Sequence, residues 1–199
     1  MLIDPEYDAD EVPEELQWPF NFQCIGTLGG HEGPVWCIAA HNHVLFTSGT
    51  ERTIAVWDLA QREPRRRGSL SGHLAPVHVL HVKAPFLWSG DADRTVKAWR
   101  LDTLACHASF RACGDIVSGL VTSGTFLLAA SFASINVFDL KEGRLHKTLS
   151  SGIEHWVRAM AASPSGERVY TASHNLLKAW QTPEFAEVCS ASTKHGSIH

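Results

Sequence analysis

The chain repeats itself about every 40 residues. A valine stands four places after a Gly-His pair at Val35 and Val77, and its counterparts are Val117, Val157 and Ile198, at intervals of 42, 40, 40 and 41. A closing aromatic recurs at Trp57, Trp99, Phe138 and Trp180, at intervals of 42, 39 and 42. Two independent anchors sharing one period mark a repeat array, in which each unit buries its apolar faces only against its neighbours. Each unit contains three apolar runs, in the first at residues 35–40, 44–48 and 53–57. A more variable fourth run follows, as at 106–110 and 145–149, and turn signals such as Ser163-Pro164-Ser165-Gly166 separate the runs. No window carries a helical stripe. The pattern predicts an all-β chain of four-stranded antiparallel sheets.

The second unit holds a polar set that could tie a loop to its sheet. His73 lies in a loop, Ser89 on a strand, Asp93 in a tight turn and Trp99 on the next strand. A carboxylate accepting from a histidine ring N–H, while that ring meets a hydroxyl, tolerates burial because its lone pairs are used. The first unit has His31, Thr47 and Trp57, with Glu51 in the place of the aspartate. The third has Ala112-Cys113 for Gly-His and Phe138 for tryptophan. The fourth has Gly152-Ile153, with His155 two residues on. Units three and four are therefore expected to rely on packing.

Charge and cysteine content exclude several functions. Net charge is -4, yet residues 1–20 hold seven acidic and no basic side chains, leaving about +3 on the rest. That balance is too mild for nucleic acid or an anionic membrane as partner. The odd cysteine count, five with no C-x-x-C, points to a reducing intracellular compartment. The acidic N-terminus is no signal peptide, and no apolar run reaches the roughly 18 residues that span a membrane. Residues 1–20 read as a solvated, disordered leader, and residues 22–28 as a short strand.

Gly30-His31 with Trp57-Asp58, and Gly72-His73 with Trp99-Arg100, resemble WD repeats, the units of β-propellers. The resemblance covers residues 21–199, with units at 30–71, 72–111, 112–151 and 152–192 and the start of a fifth at 193–199. FQCIGTLGGHEGPVWCIAA at 22–40, DRTVKAW at 93–99 and GIEHWVRAM at 152–160 are similar to the WD region of a RING-type ubiquitin ligase of the tumour-necrosis-factor-receptor-associated-factor class. In both later units (SFASINVF, SHNLLKAW) the turn before the closing strand is one residue shorter. The resemblance implies a non-catalytic, cofactor-free interaction scaffold in the cytoplasm. It would recruit a signalling kinase or a ubiquitination substrate, without the ligase chemistry of a RING segment. A closed propeller of this family usually has about seven blades, so the fold is expected to be an incomplete propeller of four blades and the first strand of a fifth. The alternative function is a partial ring completed by another chain.

Other candidate chemistry is thin. The 12 histidines include His41, His43, His78 and His81, but no cysteine pair supports a zinc cluster. His73, Ser89 and Asp93 match a nucleophile triad in composition only, since a serine nucleophile needs an exposed oxyanion hole. Arg62, Arg65, Arg66 and Arg67 read as a basic loop between the third and fourth strands of the first unit. The stronger candidate is the rim where each innermost strand begins. The residues flanking the anchoring valine face a partner there, and Trp36, His78, Trp156 and Arg158 form the expected patch, tryptophan and arginine dominating interface energetics, with blade-to-blade packing the alternative role for Trp36 and Trp156.

Overall fold

A computed structural model describes residues 24, 26–61, 63–132, 134–150 and 155–192. The acidic leader, Arg62 and the start of a fifth unit at 193–199 lie outside the described residues. Sixteen strands form four antiparallel sheets, each a simple meander in chain order. The first blade contains β1 (Val35–His41), β2 (Val44–Gly49), β3 (Ile54–Asp58) and β4 (Arg65–Leu70). The second contains β5 (Val77–Lys83), β6 (Phe86–Asp91), β7 (Thr95–Arg100) and β8 (Cys106–Arg111). The third contains β9 (Gly119–Ser123), β10 (Phe126–Ser131), β11 (Ser134–Asp139) and β12 (Arg144–Ser150). The fourth contains β13 (Val157–Ala162), β14 (Arg168–Ser173), β15 (Leu176–Gln181) and β16 (Ala186–Ser192). The innermost strands β1, β5, β9 and β13 adjoin in that order. Among the described residues there is no helix, hence none long and apolar enough to cross a membrane.

Two expectations are corrected. Gly26 to Leu28 carry no strand, and Arg65, Arg66 and Arg67 are not in a loop. Arg65, Arg66 and Arg67 open β4, where Arg66 stands over the Trp57 ring at 5.8 Å and donates to the Gly30 carbonyl at 3.0 Å. The alkyl stem and planar head of arginine make it a good cover for an indole face. The cysteines also divide: Cys24, Cys106 and Cys189 are exposed. Burial pushes the Cys37 thiol up to about 12 and the Cys113 thiol to about 11, so both stay protonated and unreactive.

The second and third blades each bury one face against the blade before and the other against the blade after. Three apolar clusters result. Phe46, Ile54 and Val56 of the first blade meet Val77, Leu80, Leu87 and Trp99 of the second. Trp88, Val96 and Ala98 meet Val117, Leu120 and Leu127 of the third. Leu128, Ile135 and Val137 meet Val157, Val169 and Trp180 of the fourth. The Val117 side chain packs so closely on Gly90 of the preceding blade that a Cβ there would lie 2.5 Å from it.

The terminal blades break the pattern by exposure. Phe46, Trp88 and Leu128 are buried, and their register equivalent Tyr170 is 36% exposed. Ile54, Val96 and Ile135 are fully buried, whereas Leu177 is 42% exposed. On the first blade Val35 and Ile38 are 50% and 65% exposed, although Val77 and Leu80 are buried at the same register.

Burial then sets the cost of substitution. Ile135→Ala should lower the unfolding free energy by about 3 kcal/mol, while its equivalent Leu177→Ala should cost less than about 1 kcal/mol. Urea denaturation of both variants checks this; equal losses would contradict the assignment of faces.

Candidate functional site

The polar set of the second blade is assembled around His73. Its Nδ1–H donates to Oδ2 of Asp91 at 2.7 Å, and its Nε2 accepts from the Ser89 hydroxyl at 2.7 Å. Ser89 Oγ in turn accepts from the Trp99 indole N–H at 2.8 Å. The carboxylate is therefore Asp91, not Asp93. Asp91 ends β6 and is buried, and its Oδ1 takes the backbone N–H groups of Asp93 and Thr95 at 3.0 and 2.9 Å. Three donors satisfy a charge that would otherwise be costly to bury. Asp93 is exposed and contributes its backbone alone.

The first blade solves the same problem differently. Gly49 stands where Asp91 would be, so Glu51, two residues later, reaches back with one more methylene to accept from His31 Nδ1 at 3.0 Å. Thr47 Oγ1 joins His31 Nε2 to the Trp57 indole at 2.7 Å on each side. Burial raises the Glu51 pKa, but hydrogen bonds from its own and the Glu32 backbone N–H and from His31 outweigh it, and the net direction is down. The fourth blade, expected to lack the relay, keeps half of it: Trp180 donates to Thr171 at 3.0 Å. In the third blade Ala129 occupies the hydroxyl position, and Phe138 packs edge-on against Phe110. His73, Ser89, Asp91 and Trp99 are all buried, which suits bracing rather than chemistry on a substrate.

The rim is built by a repeated irregularity. The ladders of β1, β5 and β13 skip one residue each, between Val35 and Cys37, Val77 and Val79, and Val157 and Ala159. The skipped residues are Trp36, His78 and Arg158. A β-bulge leaves its extra residue out of the pairing and re-aims its side chain. Trp36, 45% exposed, stacks on His78 with ring centroids 4.5 Å apart. His78, Ser118, Trp156 and Arg158 line one open concavity of about 280 Å³. Trp156 is half-buried and packs edge-on against Phe132 at 5.5 Å, a neighbour that no repeat position singles out. Ser118 Oγ donates to the Val157 carbonyl at 2.9 Å, which ties the third and fourth blades at this rim. Arg158 is exposed and has no ion-pair partner among the described residues. All four rim residues expected from the sequence thus lie along one edge. No group of three metal-ligating side chains is found among the described residues.

Residues 22–58 match the family model described as WD domain, G-beta repeat. Residues 22–58 thus carry a WD40 repeat, and the other blades resemble it in their four-stranded meander. E3 ubiquitin-protein ligase TRAF7 of Mus musculus and of Homo sapiens is 45% identical over 142 residues, 69% of this chain and 24% and 21% of theirs. The chain thus spans about a quarter or less of those relatives and resembles the WD region of TRAF7. Kinesin-like protein KIF21B of Mus musculus is 28% identical over 166 residues, 83% of this chain and 9% of its own. Among solved structures, U3-55K matches with a TM-score of 0.76 at 23% identity, covering 86% of this chain and 55% of that one. The computationally designed Ika4 protein matches with a TM-score of 0.70 at 22% identity, covering 82% of this chain and all of that one. These two likenesses concern the fold alone. The WD40 register also shows the shortened turns: the closing aromatic pairs 12 residues back in the first two blades and 11 back in the last two.

Two measurements test the relay. Asp91→Ala should cost about 3 kcal/mol, since it strips His73 and two N–H groups of their acceptor, whereas Asp93→Ala should stay within about 0.5 kcal/mol. Equal effects in thermal unfolding would mean that the Asp91 bridge is not formed. Burial pushes His73, His78 and His81 below their ordinary 6.5. The unfolded chain therefore binds more protons than the folded one below about pH 6.5, and stability falls as pH drops from there towards the folded values. Glu51, held below its ordinary 4.5, adds a separate loss only below that pH. Urea midpoints at pH 7, 6 and 5 should decline, and a flat profile would contradict neutral buried histidines.

Proposed function

We propose that this chain is a non-catalytic, cytoplasmic protein-interaction platform that docks a partner across the bulged rim. The observation that carries the reading is the alignment of Trp36, His78 and Arg158 at three equivalent bulges, with Trp156 beside them. Trp36 and Trp156 supply apolar area, and Arg158 pairs with a carboxylate or phosphate on the partner. Likeness to the WD region of an E3 ubiquitin-protein ligase supports a role in recruiting a ubiquitination substrate or a signalling kinase.

A second reading has another chain completing the ring. It is favoured by the exposure of Val35, Ile38, Tyr170 and Leu177 at positions that are buried between interior blades. Analytical ultracentrifugation separates the two: a defined oligomer supports completion in trans, and a monodisperse monomer counts against it.

For the rim, peptides selected by the wild-type chain from an acidic and phosphorylated library provide the probe. Arg158→Ala and Trp156→Ala should each weaken the selected peptides about tenfold or more, with circular dichroism unchanged. Undiminished binding by Arg158→Ala rules the rim out, and loss of fold in Trp156→Ala reassigns that residue to packing.

A further inference from the structure

The hairpin between the third and fourth strands of a blade carries one residue in the left-handed region, five places after the closing aromatic. It is Leu104 in the second blade, Gly143 in the third and Phe185 in the fourth, with φ of 58°, 64° and 51°. In two of the three blades this residue is a plug. Leu104 packs against the cluster between the first and second blades. Phe185 is 1% exposed, lies in the cluster between the third and fourth blades, and meets the Phe126 ring edge-on at 5.2 Å. Phe126 also faces His146 at 5.1 Å, so the plug seals a cleft walled by a phenylalanine and a histidine.

The cleft between the second and third blades has the same walls and no plug. Phe86 and His107 occupy the places of Phe126 and His146 and stack at 5.0 Å. Gly143 offers no side chain, and a Cβ built on it meets nothing within 4 Å. What remains is a cleft of about 410 Å³, lined by Phe86, Trp88, Phe110, Phe138 and Leu145, a size and character suited to a small apolar group. Three charged side chains stand at its mouth. Asp139 is occupied by the backbone N–H groups of Lys141 and Glu142, and Arg144 by Glu142 at 2.5 Å. Arg111 has no ion-pair partner among the described residues.

From this we infer that the cleft between the second and third blades is a binding site for an aromatic side chain presented beside a carboxylate, as on a partner peptide. The phenyl ring takes the place that Phe185 fills one blade on, and the carboxylate pairs with Arg111. The site is separate from the bulged rim and does not depend on the reading proposed for it.

The probe is 3-phenylpropanoate, a phenylalanine side chain joined to a carboxylate, added to the full chain and followed by two-dimensional NMR. Shifts should cluster around Phe86, Arg111 and Gly143, with a Kd on the order of 1 mM for so small a ligand. Gly143→Leu, which restores the plug that Leu104 provides at the same backbone angle, should weaken binding at least about tenfold. Ala108→Leu, filling the cleft from β8, serves as the second plug if Gly143→Leu does not fold. Hexanoate and 3-phenylpropanamide should each bind several-fold more weakly than 3-phenylpropanoate. Absence of clustered shifts at 10 mM, or binding undiminished in the folded plug variants, overturns the site. Equal binding of hexanoate overturns the aromatic assignment, and equal binding of the amide overturns the role of Arg111.

Discussion

Face-to-face burial between consecutive sheets is the interaction on which everything else in this chain depends. A single four-stranded blade has two apolar faces and too little surface to bury either alone. Three clusters, each shared by two neighbouring blades, remove those faces from water. The histidine relays sit within the same arrangement. They fasten the incoming loop to the blade in the first two units, while the third has no relay and is held by apolar contacts from both sides. Packing therefore sets the architecture, and the polar sets reinforce parts of it.

How much of this could be read from the residues depended on whether the information was periodic. Strand order, sheet type and the shortened turns of the last two blades follow from anchors that recur, and the strands fall within a residue or two of the expected runs. The rim positions were legible for the same reason, because they are fixed by their distance from a repeating valine. Asp91 was missed because both Asp91 and Asp93 lie in one turn and only strand register tells which is at the end of β6. The informative signal was local: an aspartate whose side chain can accept from the backbone two and four residues on. The half relay of the fourth blade was missed because the pairing of Thr171 with Trp180 needs no histidine.

The arginine run shows a different limit. Three consecutive cations look like a solvated loop, yet an outermost strand is paired along one side only, and its exposed face accepts charge without penalty. Arg66 then covers the Trp57 ring and takes a backbone carbonyl. The unplugged cleft between the second and third blades was equally hidden, because its cause is a glycine in a hairpin where glycine is common. Its meaning emerges only by comparison with the leucine and phenylalanine that the sister blades place there.

The bulges of β1, β5 and β13 have a consequence for how such a chain diversifies. A residue outside the ladder and outside the interior clusters is free of both constraints that fix its neighbours. The valines before Trp36, His78 and Arg158 repeat with little change, whereas the bulge residues themselves are a tryptophan, a histidine and an arginine. The inner strand thus separates into letters that spell the fold and single letters that do not. A recognition surface composed of the latter can be rewritten one position at a time, while the scaffold beneath it stays as it is.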